Sequence, residues 1–341
     1  MKVKIGNKLI GEDSPILVIA EAGINHNGEI KKALLLVEAA ASAGADVIKF
    51  QTHLAKAEML SDVVPAEYVG NVDLFQLIKS FELTFEQHLT LKKRAEELGL
   101  IFLSTPFSRE AVDLLEKLGV PAFKTGSGEL TNLPLLEYIA KKGKPMIIST
   151  GMSELDEVRE TFNFVKEINP QIILMQCTST YPAKYEDINL KVIPYLSQEF
   201  NSPIGLSDHS PGIVTALGAV ALGAKVIEKH FTLDKNWPGP DQKASIDPRE
   251  LKELVRSVRI IHQALGDKKE IIEEEKPIIR MARESLVSIK SIPAGTKISQ
   301  DMIWVKRPGT GIPAKEMKKL FGKVAKVDIP SDTLLKWEHF E

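Results

Sequence analysis

Val226-Ile227-Glu228-Lys229-His230-Phe231-Thr232-Leu233-Asp234 is a short apolar run that ends in a carboxylate and an imidazole. Side chains alternate across a strand, so Val226, Glu228 and His230 share one face while Ile227 and Lys229 share the other. Gly205-Leu206-Ser207-Asp208-His209 repeats the arrangement upstream, with Gly205, Ser207 and His209 on one face. Two strand tips that each deliver a histidine suggest a metal site, in which two imidazoles and waters would hold a divalent cation and Asp208 would orient His209.

Short apolar runs at 16–21, 47–51, 101–104, 122–125, 146–149, 172–177, 204–207 and 226–230 alternate with longer segments. In those segments apolar residues recur at spacings of three and four, as in Leu91, Ala95 and Leu98. Gly44, Gly99, Gly119, Gly143 and Gly223 each stand just before the next run, where a left-handed residue caps a helix. Eight strand–helix units in series predict a (β/α)8 TIM barrel of the α/β class. The competing fold, a doubly wound open sheet, lacks support because the first turn, residues 21–28, contains no G-x-G-x-x-G.

The boundaries that follow are a barrel domain over 1–267, a charged linker over 268–284 and a small β-rich domain over 285–341, where short runs are broken by Pro and Gly. Residues 1–11 read as a hairpin turning at Gly6-Asn7. The stretch 52–83 is too long for an ordinary loop and reads as a candidate lid carrying a short helix from about Leu74 to Ser80. The last barrel helix should start at Pro248 and end near Leu265.

Charge and composition narrow the function. Among 341 residues, Lys+Arg 44 against Asp+Glu 46 leave a net charge of -2 with no basic run, which argues against a nucleic-acid partner. The single cysteine, Cys177, excludes an intrachain disulfide and reads as a buried core thiol. No run reaches the ~20 apolar residues that span a bilayer, so a cytoplasmic protein without a membrane partner is expected.

In such a barrel the active site lies at the C-terminal ends of the strands. The tips carry Glu21, Lys49, Gln51, Thr105, Lys124, Ser127, Glu129, Ser149, Ser179, Tyr181, His209, Glu228 and His230. Parity turns Lys49 and Lys124 inward, and a buried lysine needs an anionic partner. With the hydroxyls of Thr105, Ser127 and Ser149, the set suits a phosphate and a carboxylate. The competing reading pairs both lysines with Glu21, Glu129 or Glu228 for structure alone. Asp241, in the Gly/Pro-rich loop after the eighth run, is a candidate substrate ligand. His26, His53, His88, His262 and His339 read as ordinary turn, loop or helix residues, and Lys229 as half of an ion pair on the helix-facing side.

Several stretches resemble the sialic acid synthase family, the NeuB-like N-acetylneuraminate and N,N'-diacetyllegionaminate synthases. They are Glu21-Ala22-Gly23-Ile24-Asn25-His26-Asn27-Gly28, Val47-Ile48-Lys49-Phe50-Gln51-Thr52, Ser104-Thr105-Pro106-Phe107, Gly126-Ser127-Gly128-Glu129 and Ser149-Thr150-Gly151-Met152, with the two histidine-bearing runs above. Trp304-Val305-Lys306-Arg307-Pro308-Gly309 looks like part of the antifreeze-like (SAF) domain of those enzymes. The resemblance implies condensation of phosphoenolpyruvate with N-acetylmannosamine or a related N-acyl hexosamine, giving a nine-carbon 2-keto acid and phosphate. It implies that Lys49, Thr105, Lys124, Ser127, Ser149 and Ser179 bind phosphoenolpyruvate. His209 and His230 would hold Mn2+, with Mg2+ or Co2+ as alternatives, and Glu21 would contact the sugar; as a carboxylate at a strand tip it is also our choice for proton transfer. Gln51, Asn71, Tyr181, Glu228 and Asp241 would contact the sugar, joined by Arg307 from the other subunit of a domain-swapped homodimer.

Two positions depart from the bacterial neuraminate synthases, which carry asparagine at Ser179 and histidine at Gln242. The Gly239-Pro240-Asp241 loop fits neuraminate or legionaminate synthases better than pseudaminate synthases. The acceptor is left open among N-acetylmannosamine, its 6-phosphate and a diacetamido-trideoxy analogue. Competing readings are a Schiff-base aldolase using Lys49 or Lys124, a heptulosonate-type synthase with a phosphorylated aldose, and a sugar-binding module with an inert barrel.

Overall fold

The computed structural model describes residues 1–65 and 72–341. They form two compact units, Met1–Gly266 and Asp267–Glu341. The first opens with an antiparallel hairpin of β1 (Val3–Ile5) and β2 (Lys8–Ile10). Eight parallel strands follow: β3 (Leu17–Gly23), β4 (Val47–Thr52), β5 (Ile101–Pro106), β6 (Phe123–Thr125), β7 (Met146–Ser149), β8 (Ile172–Cys177), β9 (Ile204–Asp208) and β10 (Val226–His230). Their order is β5-β4-β3-β10-β9-β8-β7-β6. The two end strands lie side by side, so the barrel is nearly closed, without a continuous ladder between β5 and β6.

The helices form where local signals ask for them. Thr84 and Gln87 make a capping box at the start of Phe85–Glu97, and Asp247 and Glu250 make another at Pro248–Ala264. Gly44 ends Ile30–Ala43 in the left-handed conformation. Alternation along each strand then splits the core in two. Outward residues such as Val18, Ile48, Phe50 and Ile227 pack under the helices. Inward residues, among them Ile19, Val47, Leu103, Ile173, Met175 and Val226, fill the barrel. Each fully buried aliphatic side chain contributes about 1.5–3 kcal/mol.

The hairpin expected at the N-terminus has a place that periodicity could not supply. Val3, Ile5 and Ile10 belong to the inner cluster and seal the barrel floor. Gly205 reflects the same crowding, since a Cβ there would lie 2.4 Å from Met175 Sδ and 2.6 Å from the Val226 carbonyl oxygen. The lower barrel is therefore solid, and chemistry is confined to the other end.

Within 52–83 the helix Leu74–Phe81 packs Ile78 and Phe81 with Ile24 and Ala55 in a small cluster of their own. Residues 66–71, including Asn71, fall outside the described part. Residues 268–284, expected as a charged linker, group with the second unit and carry the helix Glu275–Ala282. That unit pairs β11 (Ser285–Ser288) with β12 (Ile303–Lys306) around a core including Leu286, Ile303 and Leu335. Among the described residues no helix is long and apolar enough to cross a membrane.

Candidate active site

At the C-terminal ends of the strands the inward side chains surround a cavity of about 420 Å³. The alternation that buries Val47 and Ala122 lower down turns Lys49 and Lys124 into it, and both are almost wholly buried. Lys49 Nζ lies 2.7 Å from Glu21 Oε2 and donates to Thr105 Oγ1 at 3.0 Å. Lys124 Nζ donates to Ser149 Oγ at 2.6 Å and to the Thr125 carbonyl at 2.9 Å. Glu228, held by a hydrogen bond from Ser207 Oγ at 3.0 Å, sits between the ammonium groups at 3.7 Å from Lys49 and 3.8 Å from Lys124.

These charges differ in how well they are matched. Burial opposes the ammonium form of Lys49, but Glu21 and Glu228 outweigh it and hold its pKa above the ordinary value. Lys124 lacks so close a carboxylate, and burial lowers its pKa. Burial pushes Glu21 up to about 7 against the opposing pull of Lys49. Burial would raise Glu228 too, but Lys124 and Lys49 hold it below the usual carboxylate value. Glu21 therefore matches the charge of Lys49 at the cavity wall, while Lys124 sits with hydroxyl and carbonyl oxygens where an incoming anion would complete its contacts. Ser127, whose Oγ accepts from the Gly151 amide at 3.0 Å, and Ser179 line the same cavity.

The two histidines meet as their strand positions predict, with ring centroids 5.2 Å apart. Tyr181 packs against both, its ring centroid 4.1 Å from that of His209 in a tilted arrangement and 5.6 Å from that of His230 edge to face. His209 Nδ1 donates to the Thr178 carbonyl at 2.8 Å, so in the neutral ring Nε2 carries the lone pair; burial would lower its pKa, but Cys177 and the Thr178 carbonyl hold it above the ordinary value. His230 Nδ1 is buried without a hydrogen-bond partner, 3.6 Å from Asp241 Oδ2. Burial, with His209 and Lys49, drives His230 well below its ordinary pKa, so its ring is neutral. Burial pushes Asp241 up to about 6.

An orphaned neutral imidazole beside a second one suits a divalent cation. Among the described residues no three His, Cys, Asp or Glu side chains converge, so water and substrate oxygens would complete the set.

Most of the expected site residues come together here. Glu21, Gln51, Tyr181 and Glu228 line the cavity with the lysines, hydroxyls and histidines, and Asp241 abuts it beside His230. Asn71 lies outside the described residues, and Arg307 is exposed on the second unit.

One expectation is corrected and two are extended. Asp208 does not orient His209; it accepts from Lys229 Nζ at 2.8 Å on the helix-facing side, as expected of Lys229, and the Thr178 carbonyl orients the histidine. Cys177 is buried yet faces the site, 3.9 Å from His209 Nδ1. His53 is no ordinary loop residue: it stacks on Phe107 with centroids 4.4 Å apart and lies 3.1 Å from Gln51 Oε1. Phe107 and Met152 also line the cavity without having been singled out as site residues. For Cys177 a signal existed, because Ile173, Met175 and Cys177 share the inward parity. For His53 the same parity, continuing Lys49 and Gln51, was a signal, and the contact with Phe107 fixes where the ring stands.

The NeuB family model matches residues 36–270 and the SAF domain model residues 283–341. An N,N'-diacetyllegionaminic acid synthase of Legionella pneumophila is 42% identical, covering 98% of both chains. A protein of that name from Campylobacter jejuni is 43% identical, over 94% of this chain and 98% of the other. The crystal structure of an N-acetylneuraminic acid synthetase from Leptospira borgpetersenii, in complex with citrate, superposes with a TM-score of 0.74 at 35% identity, covering 82% of this chain and 95% of that one. The chain belongs to the NeuB family of sialic-acid-type synthases, enzymes that form carbon–carbon bonds, and carries a SAF domain beyond its barrel.

Proposed function

We propose that the chain condenses phosphoenolpyruvate with the open-chain aldehyde of N-acetylmannosamine or a related N-acyl hexosamine, yielding a nine-carbon 2-keto acid and phosphate. The observation that carries this reading is the pair of buried lysines among hydroxyls, facing two imidazoles across one cavity. Phosphate and carboxylate would lie against Lys49 and Lys124 with Thr105, Ser127, Ser149 and Ser179, and the aldehyde by the histidines. A cation held by His209 and His230, Mn2+ with Mg2+ or Co2+ as alternatives, would polarise that aldehyde as a Lewis acid.

Carbon C3 of the enol then bonds to the aldehyde carbon, whose oxygen takes up a proton and becomes a hydroxyl. Positive charge develops at C2 and water adds there. The C2–O bond to phosphate breaks, the remaining C2 hydroxyl loses its proton, and a ketone is left. Glu21, pushed up to about 7, would accept a proton from the water. The lysines stabilise the departing charge, a role in which loss of one group costs on the order of 10²–10³ in rate. Arg307, from the partner subunit of a domain-swapped homodimer, would meet the sugar's acyl group.

The test is phosphate release from phosphoenolpyruvate that requires both sugar and metal. Release without sugar, or borohydride trapping of pyruvate on Lys49 or Lys124, would overturn the reading. Arg307→Ala should raise the KM for sugar much more than that for phosphoenolpyruvate. A second reading, a diacetamido-trideoxy mannose analogue as acceptor, is favoured by the two relatives named as diacetyllegionaminic acid synthases.

A further inference from the structure

His53 stands one residue beyond β4 and continues the inward parity of Lys49 and Gln51. Its side chain is 8% exposed and lies flat on Phe107, with ring centroids 4.4 Å apart and planes 7° apart. No step of the condensation uses this ring, yet its hydrogen bonds lead from the loop after β4 to the carboxylate at the centre of the chemistry.

On one side His53 Nδ1 lies 2.9 Å from Glu58 Oε1, and Glu58, itself 5% exposed, accepts from the Leu54 amide at 3.3 Å through Oε2. The short helix Ala55–Glu58 is tied down in turn, because Glu82 Oε1 accepts from the Ala55 amide at 2.7 Å. On the other side His53 Nε2 is 3.1 Å from Gln51 Oε1, and Gln51 Nε2 donates to Glu21 Oε1 at 3.3 Å. The connection therefore runs from Glu58 through His53 and Gln51 to Glu21.

An amide side chain has one accepting end and one donating end. With its NH2 on Glu21, Gln51 presents an oxygen to His53, so Nε2 carries a hydrogen and donates it, while Nδ1 shares a proton with the Glu58 carboxyl. Turned over, the amide would set its oxygen against Glu21 Oε1 and its NH2 against the Nε2 hydrogen. Both contacts would then be repulsive. In the observed orientation Glu21 is held from two sides, Oε2 by Lys49 at 2.7 Å and Oε1 by Gln51. We propose that His53, fixed by Glu58, is a positioning residue for the reaction: it keeps the NH2 of Gln51 turned to Glu21 and so orients the carboxylate that takes the proton from water. The inference rests on the condensation reading.

The experiment measures kcat and KM for phosphate release from phosphoenolpyruvate in the full chain, with Mn2+ and N-acetylmannosamine or its diacetamido-trideoxy analogue. His53→Phe keeps the stack on Phe107 and removes both ring nitrogens. It should lower kcat by about tenfold, the lower end for a hydrogen bond to a charged group because the Gln51–Glu21 contact is 3.3 Å, and leave the KM for phosphoenolpyruvate unchanged. His53→Gln, whose amide nitrogen reaches the place of Nε2, should recover most of the loss. Gln51→Met removes the link, so adding His53→Phe to it should cost nothing further. His53→Met replaces the Phe variant if that protein does not fold.

A histidine that serves folding alone would give losses that add in the double variant and that glutamine does not recover. Either result in folded protein, or wild-type kcat in His53→Phe, would overturn the inference and leave the condensation reading standing. A wild-type protein that releases no phosphate with either sugar would overturn both.

Discussion

Replacing Lys229 by Met tests whether the buried pair behind the histidines holds the eighth barrel strand to its neighbour. Lys229 Nζ is 2.8 Å from Asp208 Oδ2, and both side chains are fully buried. Lys229 also donates to the Ser210 carbonyl. The methionine side chain fills similar volume but leaves the Asp208 carboxylate without its counter-ion. Breaking a buried pair by removing one partner costs about 3–5 kcal/mol. Asp208 keeps two donors, the Ser210 amide at 2.9 Å and Thr215 Oγ1 at 2.7 Å, which argues for the lower end, about 3 kcal/mol. For a unit of this size that lowers Tm by roughly 6–12 °C.

Because the cost lies in the orphaned carboxylate, the double variant Lys229→Met with Asp208→Asn should recover much of the loss. The assay is urea unfolding of wild type, both single variants and the double variant, read as a coupling free energy. A Lys229→Met protein within about 1 kcal/mol of wild type, or a double variant no more stable than the single, would show that the pair does not hold the strands.

Three further outcomes follow from the site. His209→Ala and His230→Ala should each abolish metal-dependent phosphate release and weaken Mn2+ binding by calorimetry; full activity of either variant in chelator-treated buffer would exclude a metal role. Glu21, with a pKa of about 7, is protonated below that pH and cannot accept a proton, so kcat/KM should fall with decreasing pH below about 7. Glu21→Gln should lose that limb along with most of the rate, and an unaltered pH profile would count against the assignment. Gly205→Ala forces a methyl to within 2.4 Å of Met175 Sδ and should destabilise by about 1–3 kcal/mol in urea unfolding, and a variant as stable as wild type would mean that the inner barrel is not tightly packed.

Much of the fold was legible because each unit repeats one local pattern. An alternating run followed by a helical period recurs eight times, closed in five cases by a glycine, and parity alone turned Lys49, Lys124, His209 and His230 inward. The same rule applied to β8 would have turned Cys177 toward the site. Asp208 stands beside His209 in sequence, but the same alternation turns its side chain to the opposite face, where it meets Lys229 from the next strand.

By itself the sequence determined the eight-unit barrel, the second domain and the polar ring at the strand tips, because these depend on side-chain periodicity and turn chemistry within a few residues. Only the tertiary structure decided that the N-terminal hairpin plugs the floor and that Glu228 lies between two lysines. Each of those depends on side chains far apart in the chain, at distances that closure of the barrel sets and no local pattern encodes.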